Sequence, residues 1–542
     1  MKLNLKLIFI YLKNEVKEII SFLINLLPKK HLEKKEREEY LNHNSKFWSS
    51  SFDKDTKNKI LINLYYPNPE YTIPNLLIGK FIQKEYGFQC VGLIREKDKL
   101  NKSLVNSFGI KDFIILKDQS FLNRLKNFVN AFKILKKIKN IDELLLLKIE
   151  NIDFGKIIYD HYIRNECKGT VNILDEKFVL ILSKALYYFS FSKKIFSTDS
   201  FKYFIQSEKH WVPANVFFQH ALLKKITILS RIGSVNNFGV RLYDKYERSY
   251  LNKNKISNNV FEYFHKNADL KKNIENISKE LIINRFGNIP KRFINYEKKK
   301  YFCETLNLDI NKPIVCIFSN NIIDGIFSNE WSLFKDNLTW LLEVFDKIQN
   351  IDDVNWIIKS HPIEENNKKM IKTLDILNSS KAVHKNNIKF LDHKSQLQKY
   401  IHQVSNVAIS AHGSVAMEYP SLGIPCIIAG DAFCSGNGFT IEPKTKTEYF
   451  EYLNNIKKIN FLDDEAIYRA RLFLSLYYKA IKINLSIFSP QGKKSKSNFW
   501  IDLKNNLENY DNHHKNNSDL FLKNLKIQLN QNSRHLVNYD FI

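Results

Sequence analysis

From Lys59 onward, short runs of β-branched and aromatic residues alternate with longer amphipathic stretches. Ile60–Tyr66, Cys90–Ile94 and Phe113–Leu116 read as strands, with helices over Pro74–Tyr86 and Phe121–Ile138. This β-α-β-α-β order calls for parallel strands joined by right-handed crossovers. A less regular, partly helical region covers 140–200. Strand-like Tyr203–Gln206, helical Asn215–Lys225 and strand-like Ile226–Leu229 then extend the sheet. The polar, Asn- and Lys-rich stretch from Leu251 to Lys300 has the composition of an interdomain connection. A second alternation follows: strands at Ile314–Phe318, Asn355–Lys359, Val407–Ser410 and Ile424–Ala429, with helices at Trp331–Asn350, Lys368–Leu377, Gln396–Val404 and Ser414–Leu422.

The pattern predicts an α/β protein with two Rossmann-like domains facing a cleft and an N-terminal helical extension. The expected boundaries are 1–55 for the amphipathic extension, 56–250 for an acceptor-side domain, 251–300 for the connection, 301–482 for a nucleotide-binding domain, and 483–542 for a polar tail that is disordered in part or loosely docked. Ligands of such sheets bind at the carboxyl ends of the strands.

Composition changes this picture only at its edges. The chain has 542 residues, 44% of them hydrophobic, more than one compact core requires. Lys and Arg outnumber Asp and Glu 83 to 57, a net charge of +26. Nucleic acid, an anionic membrane face or an anionic substrate would each suit that sign, although a bias toward Lys, Asn and Ile contributes to it. No basic-aromatic motif or nucleic-acid module accompanies the charge, so no nucleic-acid partner is expected. The six cysteines include no C-x-x-C pair and read as reduced, buried thiols; no zinc-ligand spacing occurs. The apolar runs of the N-terminus are broken by Lys13, Glu15, Lys17 and Glu18, short of the roughly 18–20 residues that span a bilayer. With no signal-peptide cleavage site, a cytoplasmic location is expected. The amphipathic run suits either an interfacial helix on the inner face of the membrane or a helix packed on the protein's own core.

Candidate chemistry concentrates in the second block. Ser410-Ala411-His412-Gly413-Ser414 links a strand to a helix carrying Glu418. Gly413 lets backbone approach a ligand, Ser414 is placed as an N-cap, the helix N-terminus suits a phosphate, and Glu418 can accept hydrogen bonds from a ribose diol. An ordinary capped strand–turn–helix explains the same residues. Lys359-Ser360-His361-Pro362 ends a strand; Pro362 stops pairing, and His361 and Lys359 offer a donor and a charge to phosphate. Ser319 and Asn320 follow the first strand of the block and line the expected cleft, with Asp324-Gly325 beyond them. Asp324 is a candidate base, though a solvated loop carboxylate is the simpler reading. Gly436 and Gly438 permit a tight loop over a ligand. In the first block Asp160 and Arg164 have the spacing of a helical ion pair; Asp160 or His161 near an acceptor is the functional alternative, and His220 and Arg241 are further candidates.

Three segments, Val354–Pro362, Ser410–Pro425 and Gly436–Tyr449, resemble the C-terminal half of capsule and surface-polysaccharide glycosyltransferases with a His-Pro motif, including Kdo- and sialic-acid-transferring enzymes. The resemblance covers about 300–480; the first block matches only through Tyr159–Arg164. It implies a GT-B fold and a metal-independent, inverting transfer that needs no cofactor beyond a CMP- or UDP-linked sugar. The implied acceptor is a glycan or lipid-linked glycan. It also implies that His361, Ser414 and Glu418 contact the donor nucleotide. The residues themselves add Lys359, Pro362, His412, Gly413, Gly436, Ser319 and Asn320 as donor-side candidates, and Asp324, Asp160 or His361 as catalytic ones. UDP-N-acetylglucosamine 2-epimerases share part of the pattern, but here Ala-Phe-Cys-Ser-Gly-Asn-Gly (432–438) stands where they are acid-rich. A non-catalytic polysaccharide-assembly protein is the other alternative.

Overall fold

The computed structural model describes residues 34–48, 58–66, 68–173, 175–234, 237–244, 255–287, 294–327, 332–367, 369–483, 499–515 and 519–537. The N-terminal amphipathic run therefore lies outside the described residues up to Lys34, where helix α1 (Lys34–Phe47) begins. Among the described residues no helix is long and apolar enough to cross a membrane.

Two sheets organise the chain. The first contains β1 (Lys59–Asn63), β2 (Gln89–Arg95), β3 (Asp112–Leu116), β4 (Phe201–Gln206), β5 (Thr227–Ser234) and β6 (Asn237–Tyr243), in the order β3-β2-β1-β4-β5-β6. The second contains β7 (Ile314–Phe318), β8 (Asn355–Lys359), β9 (Ile388–Leu391), β10 (Val407–Ser410) and β11 (Cys426–Ile428), in the order β11-β10-β7-β8-β9. All pairs are parallel except β5–β6. Each sheet reverses its strand order beside its first strand, between β1 and β4 and between β7 and β10. These are the two switch points where ligands of doubly wound sheets bind. The fold is thus the expected pair of Rossmann-like domains. The central strands are buried on both faces, as in all five residues of β7, because helices cover both faces of a parallel sheet, while the interiors of the edge strands β3 and β9 are half-buried.

The first domain is more ordered than its sequence suggests. The region 140–200 holds α2 (Phe154–Glu166) and the 23-residue α3 (Glu176–Thr198). Helix α4 (Ala214–Leu223) follows β4 and is buried from Ala214 to Leu222, with Asn215, Gln219 and His220 among its apolar residues. In the polar stretch 251–300 lies α5 (Ala268–Phe286), whose few buried residues, Ile274, Ser278 and Ile282, recur every four positions. In the second domain Asp336 caps α6 (Asn337–Ile348), its carboxylate accepting from Thr339 N at 2.6 Å. Trp340, Leu341, Val344, Phe345 and Ile348 form the buried face of that helix.

The expectation of a loosely docked tail is corrected for residues 499–515 and 519–537; the other residues after 483 lie outside the described ones. The chain returns to the first domain, where Leu503, Tyr510, Phe521, Leu525 and Leu536 share a core cluster with β1 residues, Tyr40 and Trp48. The last helix among the described residues is α8 (Leu520–Gln531). Beyond it Leu242 N donates to Arg534 O (2.8 Å) and Leu536 N to Val240 O (3.0 Å), so the segment covers the open edge of β6. Alternating Asn and Lys conceal this apolar face because it recurs at helical spacing within a polar composition.

The two domains meet through α2 and the loop after β7. Tyr159 OH donates to Asp336 Oδ2 at 2.6 Å. Phe327 N donates to Asp160 Oδ2 at 3.1 Å. Gly325 lies so close that a Cβ there would sit 2.3 Å from Asp160 Cγ. Ile323 and Phe327 join the apolar cluster of α2 and α3.

Leu525 is fully buried, so Leu525→Ala should lower the unfolding free energy by about 3 kcal/mol. Urea denaturation measures this; a loss below about 1 kcal/mol would mean that α8 does not belong to the core.

Candidate functional site

At the second switch point the backbone is tied by short polar side chains. Ser410 Oγ, at the end of β10, donates to Asn320 Oδ1 at 2.9 Å, and Ala411 N donates to the same oxygen at 3.3 Å. Gly413 N donates to Ser410 Oγ at 3.2 Å. Ser319 donates through N (3.0 Å) and Oγ (3.1 Å) to the carbonyl of Lys359 at the end of β8. Ser319, Asn320, Ser360 and Ser410 are all buried. The structure therefore assembles Ser319, Asn320, Lys359, Gly413 and their neighbours at one carboxyl edge, from β7, β8 and β10.

Two local expectations change. Ser414 has helical backbone angles and no capping bond, and α7 (Val415–Glu418) is a single turn, followed by a 3₁₀ turn at Pro420–Leu422. Pro420 lacks the N–H that would continue the helix. A single turn carries little macrodipole, so the case for phosphate binding passes from the helix end to side-chain charge. Glu418 does lie one turn after Ser414, its N–H donating to Ser414 O (3.0 Å). Its buried carboxylate accepts from Arg285 Nε at 3.3 Å, the Arg285 side chain being 61% exposed and that of Glu418 8%. Arg285, at the end of α5, is a site residue that the sequence reading missed; its place in a polar stretch gave no signal.

Positive charge is crowded here. Burial and the Arg285 guanidinium together depress the pKa of Lys359, and burial and Lys359 depress that of His361. Ile363 N donates to His361 Nδ1 (3.2 Å), which leaves the imidazole proton on Nε2. Pro362 begins the turn Ile363–Asn366, and Glu364 within it accepts from Thr373 N and Oγ1. His412 is half-buried, and burial lowers its pKa to about 4. Gly436 and Gly438 both adopt φ of +80°, a region open to glycine. Gly436 N donates to Glu442 Oε1 (2.8 Å), and the backbone N–H of Ile256 reaches Asn437.

The first domain brings a second group of residues to the facing edge. The pair expected between Asp160 and Arg164 is replaced: Asp160 holds Phe327 N, and Arg164 Nη1 meets Asp324 Oδ1 at 3.2 Å across the domain boundary. Asp324 is 47% exposed; packing around its carboxyl raises its pKa against the pull of Arg164. After β4, Glu208 Oε1 meets His210 Nδ1 at 2.6 Å and accepts from the backbone N–H of Lys209 and His210. Neither Glu208 nor His210 was singled out from the sequence; the sharp turn through Trp211, at φ +57°, has no sequence signature. His161 Nδ1 accepts from Val212 N (3.3 Å). Arg241, on β6, is buried with Nη1 3.4 Å from Tyr243 OH. His220 is a core residue: it bonds Ser192 Oγ at 2.9 Å and stacks on Phe189.

No family model matches the chain, and no curated protein matches it in sequence. Among solved structures it is similar to the UDP-GlcNAc 2-epimerase of Neisseria meningitidis bound to UDP-GlcNAc, at 13% identity, covering 77% of this chain and 99% of that chain, with a TM-score of 0.23. It is also similar to Anabaena HepE in complex with UDP (12% identity, 78% and 95% covered, TM-score 0.26). A third is KpsC of Thermosulfurimonas dismutans, a β-Kdo 2,4 transferase (11% identity, 52% and 85% covered, TM-score 0.29). Identities and TM-scores this low leave the site to be read from its own residues.

Burial pushes His220 down to about 4 from 6.5. The unfolded chain then binds the proton first, so this contribution to stability is present above about pH 6.5 and is lost as pH falls toward 4. His220→Phe should shrink the fall in unfolding free energy between those pH values by about 3 kcal/mol. Denaturation at a series of pH values reads it, and an unchanged slope would refute it.

Proposed function

We propose that this protein is a glycosyltransferase that moves a sugar from a CMP- or UDP-linked donor to a growing surface glycan or its lipid-linked precursor, without a metal ion. The observation that carries the reading is the crowding of Arg285, Lys359 and His361 at the carboxyl edge of the second sheet. Arg285 acts on the charge of Lys359, and Lys359 on that of His361, with burial as the larger cause of both shifts; an anion bound there would be favoured. A donor phosphate supplies that anion, and the buried Asn320–Ser410–Gly413 turn lets it approach the backbone.

In this reading Glu418 accepts from the ribose hydroxyls, displacing Arg285, which turns to the phosphate. Lys359 and His361, through Nε2–H, stabilise the negative charge that grows on the leaving phosphate. The acceptor lies on the first domain, and the packed loop 319–327 keeps the two substrates within one water-poor cleft. A cytoplasmic position near the inner membrane face fits a lipid-linked acceptor and the net charge of +26.

Thermal shift and isothermal titration with CMP-, UDP- and GDP-sugars test the donor site. One of these donors should stabilise the protein. Arg285→Ala, His361→Ala and Glu418→Ala should each weaken it about tenfold or more, the loss of one charge-assisted contact. No binding by the wild type, or unchanged affinity in all three variants, would sink the assignment. Formation of a 2-epimer without any acceptor would replace transfer with epimerisation.

A further inference from the structure

We infer that the proton of the attacking hydroxyl is taken by His210 Nε2, with Glu208 as its positioning residue. This inference rests on the transferase reading above and adds the acceptor half, which the donor residues leave open.

Five observations on the first domain converge. A carboxylate has no proton to give, so the 2.6 Å contact between Glu208 Oε1 and His210 Nδ1 puts the imidazole hydrogen on Nδ1. Nε2 is then the acceptor nitrogen. Two backbone N–H groups fix the same carboxylate oxygen, so the imidazole is oriented as well as paired. The pair is 27% and 29% exposed, screened yet reachable. It stands just beyond the carboxyl end of β4, at the first sheet's switch point, where His210 lines a small cavity with Asp160, Trp211, Asn215 and Phe327. The adjoining Trp211 holds a left-handed backbone, a strained state that persists only where surrounding structure imposes it.

The other ionisable groups of the cleft are already engaged. Asp160 is buried, holds Phe327 N and packs on Gly325. Asp324 is paired with Arg164. His161 Nδ1 accepts from Val212 N, and burial lowers its pKa to about 4. His361 belongs to the donor side. Charged groups near the His210 imidazole include Glu208 and Lys209 on its own loop, Asp160, Lys156 and Asp153 from α2 and its cap, Arg164 of α2 over the Trp211 ring, and Asp324 from the β7 loop, close enough that His210 and Glu208 each act on its charge.

The step balances without a further reagent. The acceptor O–H gives its proton to His210 Nε2 as its oxygen bonds to the anomeric carbon. The bond from that carbon to the nucleotide phosphate oxygen breaks, and its electron pair leaves on the phosphate. The imidazolium then returns the proton to solvent.

The test uses the full chain and the nucleotide-sugar of the panel that it turns over, with water or a monosaccharide as acceptor. His210→Gln should lower turnover about 100-fold or more while nucleotide affinity stays within about twofold, the retained affinity showing that the variant is folded. Glu208→Gln should lower kcat about tenfold or more with KM within about twofold, because the imidazole loses the carboxylate that orients it, and Glu208→Asp should recover part of that rate. Turnover of His210→Gln within about threefold of wild type, or an unchanged kcat in Glu208→Gln, overturns the inference and leaves the donor site standing. A wild type that binds no nucleotide overturns the transferase reading and this inference with it.

Discussion

The placement of every candidate group depends on the contact between α2 and the loop after β7. That loop begins at Ser319 and Asn320, inside the second switch point, and ends at Phe327, bonded to Asp160 of the first domain. Tyr159 and Asp336 close the same interface from the other side, and Asp336 also starts α6. Gly325 permits this approach because any side chain would strike the Asp160 carboxylate. Asp160 thus holds the two halves in register. A carboxylate that sets geometry is as necessary to a two-domain site as one that exchanges protons, and in sequence the two are identical.

The carboxyl edge of the second sheet shows how a fold can hold charge in readiness. Burial first, and then a neighbouring cation, depress the pKa values of Lys359 and His361. An anion bound there would reverse the like-charge part of that effect but not the burial part, so relief of repulsion would contribute to its binding free energy. The turn at Ser410–Gly413 contributes differently. Its backbone is braced by Asn320, which fixes the turn before a ligand is present and so reduces the ordering cost of binding.

Legibility from sequence followed periodicity. Buried parallel strands such as Ile314–Phe318 announce themselves as continuous apolar runs, and both sheets were readable for that reason. Strand β6 was missed because Asn237-Phe238-Gly239-Val240-Arg241 is too mixed for a strand and gains its partners from β5 and from residues near Arg534. The Ser410–Gly413 turn and the Lys359–Pro362 edge were legible as local patterns ending strands. Glu208, His210 and Arg285 were not, because each acquires meaning from a neighbour brought by tertiary structure or a tight turn. The expected N-cap at Ser414 failed for a local reason: Pro420 leaves room for only one turn of α-helix, and the backbone relaxes into a form with no cap.

The cleft repeats one device on its two sides. Arg164 and Arg285 each stand in the last turn of a helix and reach a carboxylate of the second domain, Asp324 or Glu418. The Arg164 and Asp324 side chains are 46% and 47% exposed, and exposed pairs contribute only about 0–1 kcal/mol. That pair is therefore not a main support of the interface, which rests on buried contacts such as Tyr159–Asp336 and on apolar packing. A weak pair is cheap to exchange: a substrate that offers the arginine a phosphate, or the carboxylate a hydroxyl, replaces it at little cost. An arginine that leaves its carboxylate also leaves that group more basic, so ligand contact on one side of the cleft can alter the chemistry available beside it.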